Sequence, residues 1–314
     1  MKLDIVVPCY NETDVLPETC RQLLALLDSL QAAGSIAAGS RLLFVDDGST
    51  DGTWALIGQL AGRDARVAGV KLSRNRGHQI ALLAGLLAAT GDAVVSIDAD
   101  LQDDPAVIPA MLEHFRAGRQ VVYAVRRRRS GDSLFKRTTA GLYYRLMRLL
   151  GVELVEQHAD FRLLGRRALE ALRGYGETNL FLRGLVPQLG FPSATVLFDR
   201  QLRQAGASKY PLRRMLSLGL DGVTSFSAAP LRAAAALGAL AFLASLALSG
   251  WVLWIRFSTD DAVPGWASTV IPVYFLGGLQ LLCMGVLGEY LMRVFLEVKH
   301  RPRYVIEQTV GLGE

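Results

Sequence analysis

The sequence predicts an α/β protein: a mostly parallel sheet with helices on both faces, then an amphipathic helix and two hydrophobic helices. Two observations support this fold class. As far as Val125, short apolar runs alternate with longer amphipathic ones, which is typical of strands and helices in a parallel sheet. Toward the C-terminal end, two long stretches carry no charge, which favours membrane-spanning helices.

The first part of the chain predicts five strands and four helices in alternation. The strands are Leu3–Val7, Arg41–Val45, Val67–Leu72, Ala93–Ile97 and Gln120–Val125. The helices are Leu16–Ala33, Trp54–Leu60, His78–Ala89 and Val107–Phe115. From Arg126 the sequence turns irregular and basic, so we expect an inserted loop there, followed by a helix over Ser133–Leu150.

The uncharged stretches are Ala233–Ile255 and Ala262–Gly288, each long enough to cross about 30 Å of hydrocarbon as a helix. Before them, Tyr210–Phe226 has an apolar and a basic face, as interfacial helices do, although an ordinary surface helix looks the same. We therefore expect a catalytic domain at 1–210, a juxtamembrane helix at 211–230, a hairpin at 231–292 with spans 233–255 and 266–290, and a tail at 293–314.

Charge sets the expected location. Basic residues flank both stretches, whereas the link between them holds one arginine against two aspartates, which favours a multi-pass protein of the inner membrane with its domain and both termini cytoplasmic. A formal charge of +5 then fits anionic headgroups better than a nucleic-acid partner. Three cysteines without metal or redox spacing predict reduced packing residues. The pairs Gly277-Gly278 and Gly285-x-x-Gly288 are weak signals of a homo-oligomer.

Polar residues follow four predicted strands, at the edge where open α/β sheets bind ligands. These strand ends are Pro8–Glu12, Asp46–Thr53, Ser73–His78 and Asp98–Asp104. Asp98 and Asp100 offer the hard oxygen ligands that suit Mg²⁺ or Mn²⁺, and such an ion neutralises phosphate. Any one of these segments alone could be an acidic turn or a helix cap. All four in order favour a site for a nucleotide and its metal.

These segments resemble the family-2 glycosyltransferases, and most closely the polyprenyl-phosphate sugar transferases, which include dolichyl-phosphate mannose synthases and bactoprenol glucosyltransferases. The matching stretches are Val7–Glu12, Val45–Thr53, Asp98–Asp103, Ala205–Tyr210, the hydrophobic hairpin and Glu297–Tyr304. The resemblance implies a catalytic domain of the GT-A type, which is Rossmann-like. Processive synthases of the superfamily carry Gln-x-x-Arg-Trp, but Gln201–Ala205 lacks the tryptophan, which favours transfer of a single sugar.

The resemblance also implies roles for the residues at the strand ends. Those implied for the nucleoside pocket are Pro8, Tyr10, Glu12 and Asp46. Those implied for the metal, Mg²⁺ or Mn²⁺, are Asp98, Asp100 and Gln102, with Asp100 the principal ligand and a catalytic candidate. Gln102 fits a turn equally well. Arg74 and His78 could contact phosphate, but a lone histidine is more often structural.

The acceptor in this group is a lipid monophosphate, whose second pKa near 6 leaves it largely dianionic at neutral pH. It therefore needs positioning more than deprotonation. The cations available for that role are Arg126 to Arg129, Lys136, Arg137, Arg200, Arg203 and Lys209, although the four-arginine run could equally be a solvated patch. Asp160 corresponds to the residue cast as catalytic base, or it orients the acceptor phosphate.

Together these features predict an inverting, metal-dependent transfer of one sugar from a nucleotide sugar to a polyprenyl phosphate. UDP-glucose is the favoured donor, because the short hairpin resembles that of bactoprenol glucosyltransferases. GDP-mannose, a modified UDP-sugar, and another lipid or glycan acceptor remain open. A non-catalytic membrane scaffold that retains the fold is the alternative outside enzymes.

Overall fold

The structure is a computed structural model that describes residues 1–126, 158–177, 182–198 and 265–312, with positions 231, 234–241, 243, 244, 247, 251 and 254. The chain forms two compact units. The first comprises Met1–Arg148, Glu153–Pro211 and Pro302–Glu314, and the second Leu149–Val152 and Leu212–Arg301. The strand-end residues all belong to the first unit.

The described strands and helices of the first unit follow the predicted alternation as far as β5. The strands are β1 Leu3–Cys9, β2 Arg41–Asp46, β3 Val67–Leu72, β4 Ala93–Ser96, β5 Val121–Arg126, β6 His158–Gly165, β7 Ser193–Phe198 and β8 Ile306–Val310. The helices are α1 Leu16–Ala32, α2 Thr53–Arg63, α3 His78–Ala88, α4 Ile108–Arg116, α5 Arg166–Arg173 and α6 Leu182–Gln188. The predicted helix Ser133–Leu150 lies outside the described residues.

The described strands form one eight-stranded sheet in the order β7-β5-β6-β4-β1-β2-β3-β8. The central strands β4, β1, β2 and β3 are parallel, as predicted. However, β6 runs antiparallel between β4 and β5, and β8 runs antiparallel beside β3, so the sheet as a whole is mixed. Because Ser96 at the end of β4 lies opposite Arg162, the start of β6 comes to the carboxyl edge of the parallel strands.

Strand β1 is buried along its whole length because helices cover both faces of the sheet. Its side chains alternate between two cores, as the two-residue period of a strand requires. Ile5 and Val7 pack in the core that includes α1, α2 and α4, and Val6 packs in the core that includes α3, α5 and α6. This packing holds the ends of the parallel strands at one edge.

Each loop that follows one of the four parallel strands contains a residue with positive φ. These residues are Asn11 (55°), Gly48 (66°), Gly77 (90°) and Leu101 (48°), which follow β1, β2, β3 and β4. Leucine carries a steric cost in this region of backbone space, and such strain clusters at functional sites. The sharp turns keep these loops short and close to the sheet edge.

The predicted location is wrong. The second unit contains α7, Gly265–Val298, which includes the second predicted span, 266–290, and has Pro272 inside it. The predicted helix 211–230 lies outside the described residues. Across the part of the chain that the structure describes, no helix is both long and apolar enough to cross a membrane, which contradicts a multi-pass membrane protein. The prediction was made from the absence of charge, and an uncharged run is not by itself apolar enough to span a membrane.

Candidate active site

Asp47 joins the loop after β2 to the loop after β3. One of its carboxylate oxygens accepts a hydrogen bond from the backbone N–H of Arg76 (2.7 Å), and the other accepts one from Gly77 (2.8 Å). Gly48 lies against the same loop: a Cβ there would stand 2.5 Å from the carbonyl carbon of Arg74. The close approach of the two loops therefore requires glycine at position 48.

The loop after β1 is tied to the loop after β2. Asn11 accepts a hydrogen bond from the backbone N–H of Thr50 on its side-chain oxygen (2.9 Å), and the N–H of Glu12 donates to Thr53 Oγ1 (3.0 Å). Tyr10 directly precedes these two anchors, and 45% of its surface is exposed. Three of the predicted nucleoside residues thus meet here: buried Pro8 at the end of β1, with Tyr10 and Glu12 beyond it.

Asp46 is fully buried at the end of β2. Its Oδ1 accepts a hydrogen bond from the backbone N–H of Ser49 (3.1 Å). Its buried Oδ2 has no hydrogen-bond partner among the described residues. Burial raises the pKa of this carboxyl. A buried acceptor without a partner is costly, and a ligand that donates an N–H would satisfy it.

The loop after β4 holds Asp100 at the surface. Gln102 donates to both carboxylate oxygens of Asp100, from its backbone N–H (3.2 Å) and from its side-chain amide (2.7 Å). Thr19 Oγ1 donates to the carbonyl of Ala99 (2.6 Å) and holds the loop against α1. In this arrangement Gln102 orients Asp100 through its amide nitrogen.

The donor groups fit a metal ion that is only partly held by protein. Among the described residues, no three His, Cys, Asp or Glu side chains are grouped closely enough to hold an ion by themselves. Mg²⁺ commonly binds through one or two carboxylates together with substrate phosphates. Asp98 and Asp100 therefore suit an ion that arrives with a diphosphate.

Asp160 is buried and accepts hydrogen bonds from four donor atoms. These atoms belong to three residues on three different elements. Arg162 Nη2 donates to its Oδ1 (2.5 Å), Arg183 donates to Oδ1 (3.3 Å) and Oδ2 (3.2 Å), and Gln79 Nε2 donates to Oδ2 (3.0 Å). Burial works against ionisation of Asp160, but the two guanidinium groups outweigh it and hold the pKa well below its ordinary value. Such a carboxylate is a weak proton acceptor.

His78 connects the loop after β4 with Asp160. Its Nε2 lies 2.9 Å from Asp98 Oδ1, and its Nδ1 lies 3.7 Å from Asp160 Oδ2. Burial lowers the pKa of His78, but the hydrogen bond and charge of Asp98 and the charge of Asp160 reverse that effect and raise it. His78 therefore links the carboxylate of Asp98 to that of Asp160.

The cations predicted for the acceptor are only partly placed. Arg126 ends β5 opposite Phe198, and its side chain is outside the described part of the chain. Arg137, Arg203 and Lys209 lie wholly outside it, as do Arg127 to Arg129, Lys136 and Arg200.

Gln79 and Arg183 contact Asp160, but nothing in the sequence predicts these contacts. They come from α3 and α6, which lie 81 and 23 residues from Asp160 along the chain. Arg162, by contrast, does carry a signal in the sequence, because residues two apart in a strand point to the same face.

Comparison with known proteins decides the family. Residues 4–173, more than half of the chain, match the family model described as glycosyl transferase family 2. The chain belongs to glycosyl transferase family 2. This glycosyltransferase is 52% identical to the uncharacterized glycosyltransferase YkoT of Bacillus subtilis (strain 168), over 97% of this chain and 91% of that protein. It is 37% identical to the SfII prophage-derived bactoprenol glucosyl transferase of Shigella flexneri, over 98% of each chain. The predicted resemblance is confirmed.

Solved structures resemble the glycosyltransferase more distantly. Glucosyl-3-phosphoglycerate synthase from Mycobacterium tuberculosis matches with a TM-score of 0.48 and 21% identity, over 72% of this chain and 78% of that one. A structure of the same synthase with Mn²⁺, uridine-diphosphate and glucosyl-3-phosphoglycerate matches with a TM-score of 0.45 and 20% identity, over 71% of this chain and 77% of that one. At these scores the likeness carries no information about ligands.

Proposed function

We propose that this glycosyltransferase transfers one sugar from a nucleotide sugar, with UDP-glucose favoured, to a polyprenyl phosphate, and that residues 1–210 carry the reaction. The observation that carries the proposal is the state of Asp160, whose two arginine partners leave it a weak base. A sugar hydroxyl would need a base, whereas a phosphate does not. The name of the Shigella flexneri relative, a bactoprenol glucosyl transferase, supports a polyprenyl lipid as acceptor and glucose as the sugar.

In the binding site for the nucleotide sugar, Asp46 is the residue that would contact the base. Its buried Oδ2 would accept the ring N–H of a uracil or guanine base, both of which carry such a donor. Tyr10, exposed beside it, offers a ring on which the base can stack. Pro8 and Glu12 would complete the pocket. Because uracil and guanine both satisfy Asp46, the choice of UDP over GDP rests on the relatives and not on this contact.

The diphosphate half rests on Asp98 and Asp100, which would hold Mg²⁺ or Mn²⁺. When bound, such an ion neutralises the charge that develops on the leaving diphosphate. Gln102 keeps Asp100 oriented through two hydrogen bonds. His78 does the same for Asp98 through its Nε2. These contacts set the two carboxylates before the donor arrives, which reduces the reorganisation needed for catalysis.

In the transfer step, an oxygen of the acceptor phosphate attacks the anomeric carbon of the sugar. The bond from that carbon to the diphosphate oxygen breaks, and its electron pair leaves with the nucleoside diphosphate. Attack in line with the leaving group inverts the anomeric configuration. A phosphate monoester with a second pKa near 6 is already largely ionised, so no proton has to be removed. Asp160 then serves as a positioning residue.

The test is transfer from radiolabelled UDP- and GDP-sugars to undecaprenyl phosphate in detergent, with Mg²⁺ or Mn²⁺ and with a chelator. We expect one donor to label the lipid, the label to disappear with chelator, and undecaprenol, which lacks the phosphate, to accept no sugar. Labelling of undecaprenol would contradict the phosphate acceptor. Hydrolysis of the donor without a lipid product would place the acceptor in another class.

A further inference from the structure

The C-terminal strand β8 is connected to the donor site through the loop after β3. Strand β8 pairs antiparallel with β3, and the hydrogen bonds continue beyond the end of β3. The backbone N–H of Ser73 donates to the carbonyl of Val305 (2.9 Å), and Arg76 Nε donates to the carbonyl of Arg303 (2.6 Å). Ser73 and Arg76 belong to the loop, whereas Val305 and Arg303 lie just before β8. The segment that leads into β8 therefore contacts this loop at two points.

The loop Ser73–His78 depends on hydrogen bonds, because it has no apolar side chain with which to pack. Its sequence is Ser-Arg-Asn-Arg-Gly-His, and each of these residues except Arg76 is exposed. Arg76 is half-buried. Gly77 has a φ of 90°, and no atom of the described residues stands within 4 Å of a Cβ placed on it. Packing therefore restrains this loop little, and the side chain of Arg76 is its main link to the C-terminal segment.

The carbonyl group that Arg76 contacts is itself held in place. The guanidinium of Arg303 donates to the carbonyl of Tyr175, which lies just beyond α5. The next residue, Tyr304, packs against the core that includes α3, α5 and α6. A hydrogen bond to a fixed acceptor restrains its donor, as supporting contacts around a binding site must do. The bond from Arg76 to Arg303 therefore fixes the loop against the body of the domain.

The other side of the same loop belongs to the donor site. The backbone N–H groups of Arg76 and Gly77 both donate to the carboxylate of Asp47, and His78 Nε2 lies 2.9 Å from Asp98 Oδ1. Arg76 thus contacts the C-terminal segment with its side chain and the donor site with its backbone. Movement of the loop would carry His78 away from Asp98, which is one of the two carboxylates proposed for the metal.

We propose that Arg76 is a positioning residue for the metal and the diphosphate of the donor, and that the C-terminal segment Arg303–Val310 supports the donor site through it. The side chain of Arg76 holds the loop, and the loop sets His78 against Asp98. In this role Arg76 acts through its neighbours and contacts neither the metal nor the substrate. The inference rests on the proposed function, since it concerns the binding of the donor in that reaction.

The first experiment measures the affinity of the full-length protein for UDP in the presence of Mn²⁺ by calorimetry. Arg76→Met removes the Nε donor but keeps the backbone N–H that Asp47 accepts. We expect this variant to bind UDP about twofold to tenfold more weakly, which is the fold-change for the net loss of one hydrogen bond. Arg76→Lys should lie between wild type and Arg76→Met, because lysine keeps a donor and the charge but lacks the planar fork.

Gln308→Met is the matched control. Gln308 accepts a hydrogen bond from Trp54 Nε1 (2.6 Å), which connects β8 to α2 and not to the loop after β3. We expect Gln308→Met and Arg76→Met to lower the urea midpoint to a similar extent, but only Arg76→Met to weaken UDP binding. Equal UDP affinity in wild type and Arg76→Met would overturn the proposal. Equal weakening in Arg76→Met and Gln308→Met would overturn it as well, since that result would reflect a general loss of β8.

The second experiment follows amide hydrogen exchange in the loop by mass spectrometry, without any ligand. The amides of Arg76 and Gly77 donate to Asp47, so their exchange reports how firmly the loop is held. We expect them to exchange about twofold to tenfold faster in Arg76→Met and at the wild-type rate in Gln308→Met. Unchanged exchange in Arg76→Met would overturn the proposal. Should Arg76→Met fail to fold, both experiments make the same comparison with Arg76→Lys.

The measurements separate failure of this inference from failure of the proposed function. Transfer of sugar to undecaprenyl phosphate by wild type, with a UDP affinity that does not depend on Arg76, would refute only the inference. Absence of transfer, together with UDP binding that depends on Arg76, would refute the proposed function and keep Arg76 as a positioning residue of a nucleotide site.

Discussion

Two buried aspartates of this site, Asp46 and Asp160, differ in what surrounds them. Asp46 accepts one hydrogen bond from a backbone N–H, and burial raises its pKa. Asp160 is buried as well, but two arginines outweigh the effect of burial and lower its pKa. Both carboxyl groups are buried, but their pKa values shift in opposite directions, because the charged partners decide the balance. One carboxylate oxygen of Asp46 has no hydrogen-bond partner among the described residues, whereas both oxygens of Asp160 accept hydrogen bonds from the protein.

The difference in partners predicts a large difference in stability. Replacing Asp160 with alanine leaves Arg162 buried without its counter-charge, and breaking such a pair costs about 3–5 kcal/mol. Replacing Asp46 with asparagine removes a desolvated charge, so we expect a change within about 1 kcal/mol. Urea unfolding of both variants at neutral pH measures this, and equal losses of unfolding free energy would contradict the contrast.

For nucleotide binding, we expect the substitution at Asp46 to have a larger effect than the substitution at Asp160. In Asp46→Asn the side chain loses its charge, which weakens or reverses its contact with the base N–H, so we expect UDP to bind about tenfold to a hundredfold more weakly. Calorimetric titration with UDP and Mg²⁺ checks this. Asp160→Asn is the matched control, since it changes the same groups in the other aspartate and should leave UDP affinity close to wild type.

The loops around Asp46 depend on a close backbone contact that a pair of glycine variants can isolate. Gly48 and Gly34 have nearly equal φ, 66° and 64°, but only Gly48 has backbone within reach of a Cβ. Gly34→Ala should cost about 1–2 kcal/mol for its backbone conformation alone. We expect Gly48→Ala to cost about 1–3 kcal/mol more, because the loop at Arg74 must move. Thermal unfolding gives both values, and equal costs would mean that the contact yields easily.

The smallest effect is in the pH dependence of stability. The raised pKa of Asp46 means that it stabilises the fold below its ordinary pKa of 3.8, and that this contribution is lost as pH rises through the folded-state value. The lowered pKa of Asp160 means that its contribution is present above 3.8 and is lost only as pH falls below that value.

Of the two aspartates, only Asp46 changes its contribution between neutral pH and about pH 4. As pH falls through this window, wild type should gain unfolding free energy relative to Asp46→Asn. Urea unfolding at several pH values follows this difference, and a constant difference would show that the pKa of Asp46 is not raised.

The positions of the strand-end aspartates could be predicted because they follow local patterns. Asp46 and Asp98 come directly after an apolar run and Asp100 two residues later, and parallel strands bring such positions to one edge whatever the rest of the fold does. The partners of Asp160 could not be predicted in this way, since Gln79 and Arg183 reach it from helices that are distant in the chain. Strand β8 was also not foreseen, because its residues are mostly exposed and show no alternation.

By itself, the sequence determined the α/β alternation, the four polar strand ends and the resemblance to family 2, since each depends on neighbouring residues. The tertiary structure decided the antiparallel course of β6, the four donors on Asp160, and the link through His78. It also overturned the location inferred from uncharged runs. The physical reason is that hydrophobic patterning acts along the chain, whereas the state of a buried charge is set by whichever groups packing brings to it.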